Sequence, residues 1–71
     1  MTLEKLTARE MEIITIVAEE GAGNKVIAFR TGLTEITVKF HIRNAMKKMG
    51  AINRVQCVII YWKAKLEEAS R

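Results

Sequence analysis

Apolar residues recur at helical spacing over residues 33–50, where the pattern is clearest in the chain. The apolar positions, at i, i+4, i+7, i+8 and i+11, are Val38, Ile42, Ala45, Met46 and Met49. This spacing predicts one buried stripe along an α-helix. Thr34 precedes the stripe as a suitable N-cap, and Gly50 follows it as a suitable end. We therefore predict a helix over about residues 35–49.

The other side of this predicted helix is basic. Lys39, Arg43 and Lys47 lie there together with Phe40, and no acidic residue follows Glu35 until near the end of the chain. A helix that is anchored on one face and basic on the other is suited to lie in a groove of DNA.

Capping residues and glycines predict three more helices. The predicted helices with their N-caps are 8–20 with Thr7, 25–31 with Asn24, 35–49 with Thr34 and 54–68 with Asn53. The first has the capping-box pattern, because Glu10 follows Thr7 by three residues. Only a few residues around Gly32 separate the second helix from the third, which is the spacing of a helix-turn-helix unit. The predicted fold class is all-α, a four-helix bundle with a central helix-turn-helix.

Composition narrows the classes of protein that fit. The chain has 71 residues, no proline and 49% apolar residues, which predicts a single domain over residues 1–71 with a core at about 6–68. A single cysteine, Cys57, and a single histidine, His41, exclude an internal disulfide and a Cys-based or multi-histidine metal site. No signal peptide pattern is present, and the longest apolar run is too short to span a bilayer. We expect a cytoplasmic domain without metal or cofactor.

The charge is unevenly distributed along the chain. Residues 1–35 contain four basic and six acidic residues, whereas residues 36–71 contain eight basic and two acidic ones. A basic half of this kind predicts an anionic partner, either nucleic acid or a membrane surface. Catalysis is not expected, because one histidine, one cysteine and no aspartate offer no nucleophile, base and orienting group together.

The last predicted helix is apolar on most sides. Val55, Ile59 and Trp62 share one side, which we predict to face the core, and the remaining apolar residues exceed what so small a domain can bury. A neighbouring side is predicted to form a homodimer contact that is weak in the isolated domain, and its residues are Val58, Tyr61 and Lys65. The alternative is that another domain of a longer protein covers this helix.

Several short motifs occur in order and at characteristic separations. They are Leu6-Thr7-Ala8-Arg9-Glu10 with Gly21, Asn24-Lys25-Val26-Ile27-Ala28, Leu33-Thr34-Glu35-Ile36-Thr37-Val38-Lys39-Phe40-His41, Lys48-Met49-Gly50 and Asn53-Arg54-Val55-Gln56. Together they resemble the LuxR-type (GerE-like) DNA-binding domain from about Leu6 to Val58. The chain is most similar to quorum-sensing regulators that respond to acyl-homoserine lactones, and response-regulator output domains share most of the pattern.

The resemblance implies a transcription regulator that binds double-stranded DNA in a sequence-specific way, as a dimer on a two-fold-symmetric site. It implies base or nearby phosphate contacts for Lys39, Phe40 and Arg43, and geometry places the same residues on the exposed side of a helix in the major groove. An alternative for Phe40 is a partly buried packing role. The rival function is a protein-interaction module or a helical module for anionic membrane surfaces.

Phosphate contacts are predicted around this helix. Thr34 and Thr37 lie at its positive N-terminus, and Asn24, Lys25, Lys47 and Arg54 are further candidates. Lys47 could instead be a solvated surface charge. The resemblance also leaves room for an N-terminal sensor domain and for contact with RNA polymerase, since the chain is either a stand-alone regulator or an excised output domain.

The chain departs from the usual pattern of the resembled family at four positions. Val26 stands where Glu is usual, Thr31 where an apolar residue is usual, Thr34 where Ser is common and Cys57 where Ala is common. None of these changes affects the predicted base-reading residues.

Overall fold

A computed structural model describes residues 2–70, and these form a short 3₁₀ helix followed by four α-helices. The 3₁₀ helix spans Thr2–Lys5, α1 spans Ala8–Glu20, α2 spans Asn24–Thr31, α3 spans Glu35–Met49 and α4 spans Arg54–Ala69. No strand occurs within this range. The predicted all-α class with four helices is confirmed. None of the helices in residues 2–70 is long and apolar enough to cross a membrane.

Side-chain caps begin three of the four helices as predicted. Thr7 and Glu10 form both bonds of the capping box, and Thr34 and Asn53 accept from the third residue of α3 and α4. The predicted cap of α2 is wrong. Gly23 is the N-cap, without a side-chain bond, and Asn24 is the first helical residue, where its side chain accepts a bond from a distant arginine instead.

The turn between α2 and α3 holds the two helices of the helix-turn-helix unit together. Gly32 has φ of 73°, a left-handed conformation that glycine adopts without steric cost. The backbone N–H of Leu33 then donates to the carbonyl of Ala28 at 3.1 Å, which closes the end of α2. Thr31 is half-buried, and its hydroxyl donates to the carbonyl of Ile27, so this polar residue is satisfied at a position where the resemblance leads one to expect an apolar residue.

Two hydrophobic clusters form the core, and the buried stripe of α3 belongs to both. Val38 and Ile42 pack with α1 and α2, whereas Ala45 and Met49 pack with α1 and α4. Met46 is half-buried between the clusters. The predicted stripe of α3 is therefore confirmed, and this one helix joins the two halves of the core.

The buried side of α4 differs from the prediction. Val55, Ile59 and Trp62 are exposed at 69%, 49% and 42%, so the prediction that they face the core is wrong. The residues of α4 that are buried are Cys57, Tyr61 and Ala64. Because α4 has apolar residues on nearly all sides, hydrophobic spacing could not select the buried one.

Hydrogen bonds to α1 hold two aromatic rings of α4, Tyr61 on the buried side and Trp62 on the exposed side. The Tyr61 hydroxyl donates to Glu19 at 2.5 Å, and the indole N–H of Trp62 donates to the carbonyl of Ala18 at 3.2 Å. Tyr61 is thus a core residue and is not available for the surface contact that was predicted for it, because only 1% of it is exposed. Val58 is half-buried against the cluster that contains α2.

The N-terminal 3₁₀ helix adds a residue to the core that the sequence pattern did not predict. Leu3 is buried with Tyr61 and Met49, whereas the sequence predicts a core that starts near Leu6. A segment of four residues is too short to show a hydrophobic period.

A partly buried ion pair fixes α1 against the C-terminal part of α3. Glu10 is 4% exposed, and its carboxylate accepts a bond of 2.7 Å from the ammonium group of Lys48 as well as the capping bond of Thr7. Burial by itself raises the pKa of the Glu10 carboxyl group. The bonds from Lys48 and Thr7 outweigh burial and hold this pKa below its ordinary value.

Glu10→Gln should lower the free energy of unfolding at neutral pH by about 1–2 kcal/mol, because it removes the charge that Lys48 and the cap require. Since the pKa of Glu10 is lowered in the folded state, this stabilisation is present at neutral pH and is lost as the pH falls through that pKa. Urea unfolding of the wild type and of Glu10→Gln should therefore give free energies of unfolding whose difference becomes smaller from pH 7 to pH 3.

Glu12→Gln is the matched control, because Glu12 lies on the same helix in an exposed pair with Arg9. Its stability should stay close to that of the wild type. A difference between Glu10→Gln and wild type that stays constant down to pH 3 would contradict the proposed role of the pair.

Candidate nucleic-acid interface

The exposed side of α3 has its own stripe with the same spacing as the buried one. Ile36, Phe40, Arg43 and Lys47 lie at i, i+4, i+7 and i+11, and they start two residues before the buried stripe that begins at Val38. A shift of two residues in a helix places the stripes on opposite sides. The packing that buries one stripe thus presents the other to solvent, and Lys39 flanks it.

The cations of this surface have no counter-ion among the described residues. Lys39, Arg43 and Lys47 are exposed, and none of them forms an ion pair within residues 2–70. Four other basic residues are paired: Arg9 with Glu12, Arg30 with Glu20, Lys48 with Glu10 and Lys65 with Glu68. The exposed face of α3 therefore brings three unpaired cations together on one helix, where they add to a positive potential.

Four of these side chains line an open depression on α3: Ile36, Lys39, Phe40 and Arg43. Phe40 is 57% exposed, and its ring packs edge-on against His41 with ring centres 6.2 Å apart. The exposure favours a surface role for Phe40 over the packing role that the sequence left open. A second depression lies beside the first and is lined by Asn24, Lys39, Ile42, Arg43, Met46 and Arg54.

The N-terminus of α3 has a hydroxyl group that can still donate a hydrogen bond. Thr34 accepts from the backbone N–H of Thr37 at 3.1 Å, and its hydroxyl donates to the Thr37 hydroxyl oxygen at 2.9 Å. The Thr37 hydroxyl accepts this bond and keeps its own proton. A helix N-terminus with free N–H groups and such a hydroxyl is a suitable partner for a phosphate oxygen.

Arg54 and Asn24 also form a structural contact with each other. The guanidinium group of Arg54 donates to Asn24 Oδ1 at 2.7 Å and to the carbonyl of Ala22 at 2.8 Å. This contact ties the start of α4 to the link between α1 and α2. The structure places both residues next to Lys39 and Arg43, and Lys25 is exposed on α2 nearby in sequence.

The geometry agrees with the comparisons to known proteins. The model of bacterial regulatory proteins of the luxR family matches residues 4–61. The chain belongs to the LuxR family. It is thus a DNA-binding helix-turn-helix domain of the kind found in transcription regulators, and this family is not a class of enzymes.

Relatives in the LuxR family are regulators of several kinds. The chain is 44% identical over 59 residues to the probable transcriptional regulatory protein SgaR of Hyphomicrobium methylovorum, which covers 83% of the chain and 28% of that protein. It is 40% identical over 57 residues to the nitrate/nitrite response regulator protein NarL of Escherichia coli, covering 80% and 26%. It is 43% identical over 56 residues to the response regulator protein VraR of Staphylococcus aureus, covering 79% and 26%.

The chain therefore spans only about a quarter of the length of these relatives. No solved structure matched the chain significantly.

One exposed residue of this surface was missing from the prediction. Ile36 is 81% exposed in the first turn of α3 and is not among the predicted DNA-facing residues. Its spacing of four residues from Phe40 and seven from Arg43 is visible in the sequence. Phe40 lies between Lys39 and Arg43 and is predicted with them, whereas Ile36 precedes this run of basic residues.

Proposed function

We propose that this LuxR-family domain binds double-stranded DNA in a sequence-specific way, with α3 in the major groove. The observation that supports this most directly is the exposed stripe of α3, where three cations without counter-ions lie opposite the stripe that anchors the helix. In this arrangement Lys39 and Arg43 contact bases. Arg43 is suited to guanine, whose O6 and N7 accept two bonds from one guanidinium group.

Phosphates on both sides of the groove are the proposed partners of the surrounding groups. Thr37 and the N-terminus of α3 contact one strand, with Thr34 holding the cap. Lys47, Lys25 and Arg54 supply positive charge farther out. Asn24 orients Arg54 through the bond between them. These contacts position the domain and are independent of sequence.

A module for anionic membrane surfaces is the weaker alternative. Such a surface needs cations beside exposed apolar residues. On α4, the helix with the largest exposed apolar surface, Lys65 is paired with Glu68 and its ammonium group lies 5.7 Å from the centre of the Tyr61 ring. Lys63 of α4 is exposed and forms no ion pair within residues 2–70, but three such cations lie together on α3.

We also propose that two copies pair through α4. The exposed apolar residues of this helix are Val55, Ile59, Trp62 and Leu66, at i, i+4, i+7 and i+11. This continuous stripe replaces the predicted set of Val58, Tyr61 and Lys65. A two-fold axis beside it would make the contact self-complementary and set two copies of α3 about one turn of DNA apart.

We also propose that this domain is the DNA-binding part of a longer regulator. Because the relatives are about four times as long as the matched segment, we propose that a sensor domain N-terminal to it controls DNA binding, with RNA polymerase as the downstream partner. The cytoplasm is the compartment that fits such a regulator. Similarity to quorum-sensing regulators stays a prediction, since the relatives reported above include two response regulators, one of them named for nitrate and nitrite.

DNA binding should weaken steeply with salt. With about five phosphates contacted per copy, log K should fall with log salt at a slope of about −4 to −5. Lys47→Ala should weaken binding to all sequences equally and reduce the slope by about 1. Fluorescence anisotropy with duplex DNA, and with anionic vesicles as the comparison, measures this. A slope near zero with DNA, or tighter binding to vesicles, would exclude the proposed function.

Arg43→Ala should relax base preference at one position of each half-site, because one bidentate contact provides about 1–3 kcal/mol of discrimination. Lys39→Ala should do the same at a neighbouring position. Selection from random duplexes followed by sequencing gives the preference of each variant. Lys47→Ala is the control, since a phosphate contact leaves the preference intact. If neither Lys39→Ala nor Arg43→Ala changes the selected sequence, α3 is not the base-reading element.

Ile59→Glu should abolish cooperative binding to a palindromic duplex while half-site binding and the circular dichroism spectrum stay unchanged. The isolated domain should be close to monomeric at micromolar concentration, because the stripe is a small interface. Val26→Glu is a matched control, since Val26 on α2 is 51% exposed and Ile59 is 49% exposed, and both changes add one negative charge. Equal loss of cooperativity in the two variants, or none in Ile59→Glu, would show that α4 is not the interface.

A further inference from the structure

Two large apolar side chains project from α3 into solvent without a structural reason. Ile36 is 81% exposed and Phe40 is 57% exposed, and neither belongs to the hydrophobic clusters of the core. Single exposed apolar residues are common on proteins. These two differ because they are four residues apart on one helix face and line the same depression as Lys39 and Arg43.

Their position in α3 specifies where they would lie on DNA. Thr34 caps the helix, so Ile36 is in its first turn and Phe40 is one turn later. In a helix-turn-helix protein the first turns of the second helix contact the base edges. The flanking cations favour DNA over a protein as the occupant of this face, because an apolar protein patch would leave Lys39 and Arg43 without partners.

The major groove offers these side chains one apolar target. Base edges there present hydrogen-bond donors and acceptors, and only thymine adds a methyl group at C5. Burial of an Ile or Phe side chain against acceptors alone would remove water from polar atoms without replacing their bonds. A methyl group avoids that penalty and gains apolar contact.

We propose that Ile36 and Phe40 are specificity-determining residues that recognise the C5-methyl groups of thymines next to the base pairs contacted by Lys39 and Arg43. This inference rests on the proposed function, because it requires α3 to lie in the major groove. The recognised DNA is therefore expected to contain thymine beside guanine in each half-site. Lys39 and Arg43 contact polar atoms, and the apolar pair distinguishes thymine from cytosine at the adjacent positions.

Replacement of single thymines by deoxyuridine tests this inference, because the change removes only the methyl group. The probe is a duplex selected by the wild-type domain from a random pool. At one or two positions per half-site, deoxyuridine should weaken wild-type binding by about fourfold, the effect expected for one buried methyl group. Ile36→Ser and Phe40→Ser should each bind the thymine duplex more weakly and should lose the sensitivity to deoxyuridine at one position.

Ile52→Ser is the matched control, since Ile52 is also 81% exposed but lies outside α3. It should keep the full sensitivity to deoxyuridine. If no thymine position responds in the wild type while binding stays salt-dependent and sequence-selective, the inference is wrong and the proposed function stands. The inference is also wrong if Ile36→Ser and Phe40→Ser both keep the wild-type sensitivity. If the pool yields no preferred duplex, the proposed function fails, and the inference fails with it.

Discussion

Burial of one stripe of α3 in both hydrophobic clusters is the constraint on which the arrangement of the domain depends. Val38 and Ile42 join it to α1 and α2, and Ala45 and Met49 join it to α1 and α4. The helix cannot rotate about its axis without removing apolar surface from both clusters at once. Its outer stripe is thereby held in a fixed direction, although the outer residues themselves contribute little to folding. Precise placement of a DNA-facing helix requires this kind of support from behind.

The extent to which sequence predicted structure differs between α3 and α4 for a physical reason. In α3 the buried apolar stripe and the basic residues are on opposite sides, so a single period identifies the buried side even though Ile36 and Phe40 are apolar on the exposed one. In α4 apolar residues surround the helix, and the buried side depends on packing partners that are distant in sequence. Glu19 and the carbonyl of Ala18 accept hydrogen bonds from Tyr61 and Trp62, and no local sequence pattern predicts these bonds. Of the predicted dimer residues, Tyr61 lies in the core for the same reason.

Smaller differences have similar origins. Asn24 is a good N-cap by residue type, but its side chain is used by Arg54, which is 30 residues away in sequence. Leu3 belongs to the core through a segment of four residues that has no period of its own. The charged residues among the candidate DNA contacts could be predicted, because their helical spacing is evident in the sequence. Ile36 was not, because it has no charge and, unlike Phe40, does not lie between basic residues.

The pairing of Lys48 with Glu10 has a consequence for how this domain can change over evolutionary time. Lys47 and Lys48 are neighbours with the same side chain, yet one lies on the exposed face and the other neutralises a buried carboxylate. The Lys47 side chain forms no ion pair within residues 2–70, so folding does not oppose a change at position 47. A change at position 48 that removes the positive charge leaves the Glu10 carboxylate buried without its counter-charge, unless position 10 changes as well. Two adjacent residues with identical side chains are therefore subject to separate constraints, one from whatever the exposed face of α3 contacts and one from the stability of the fold.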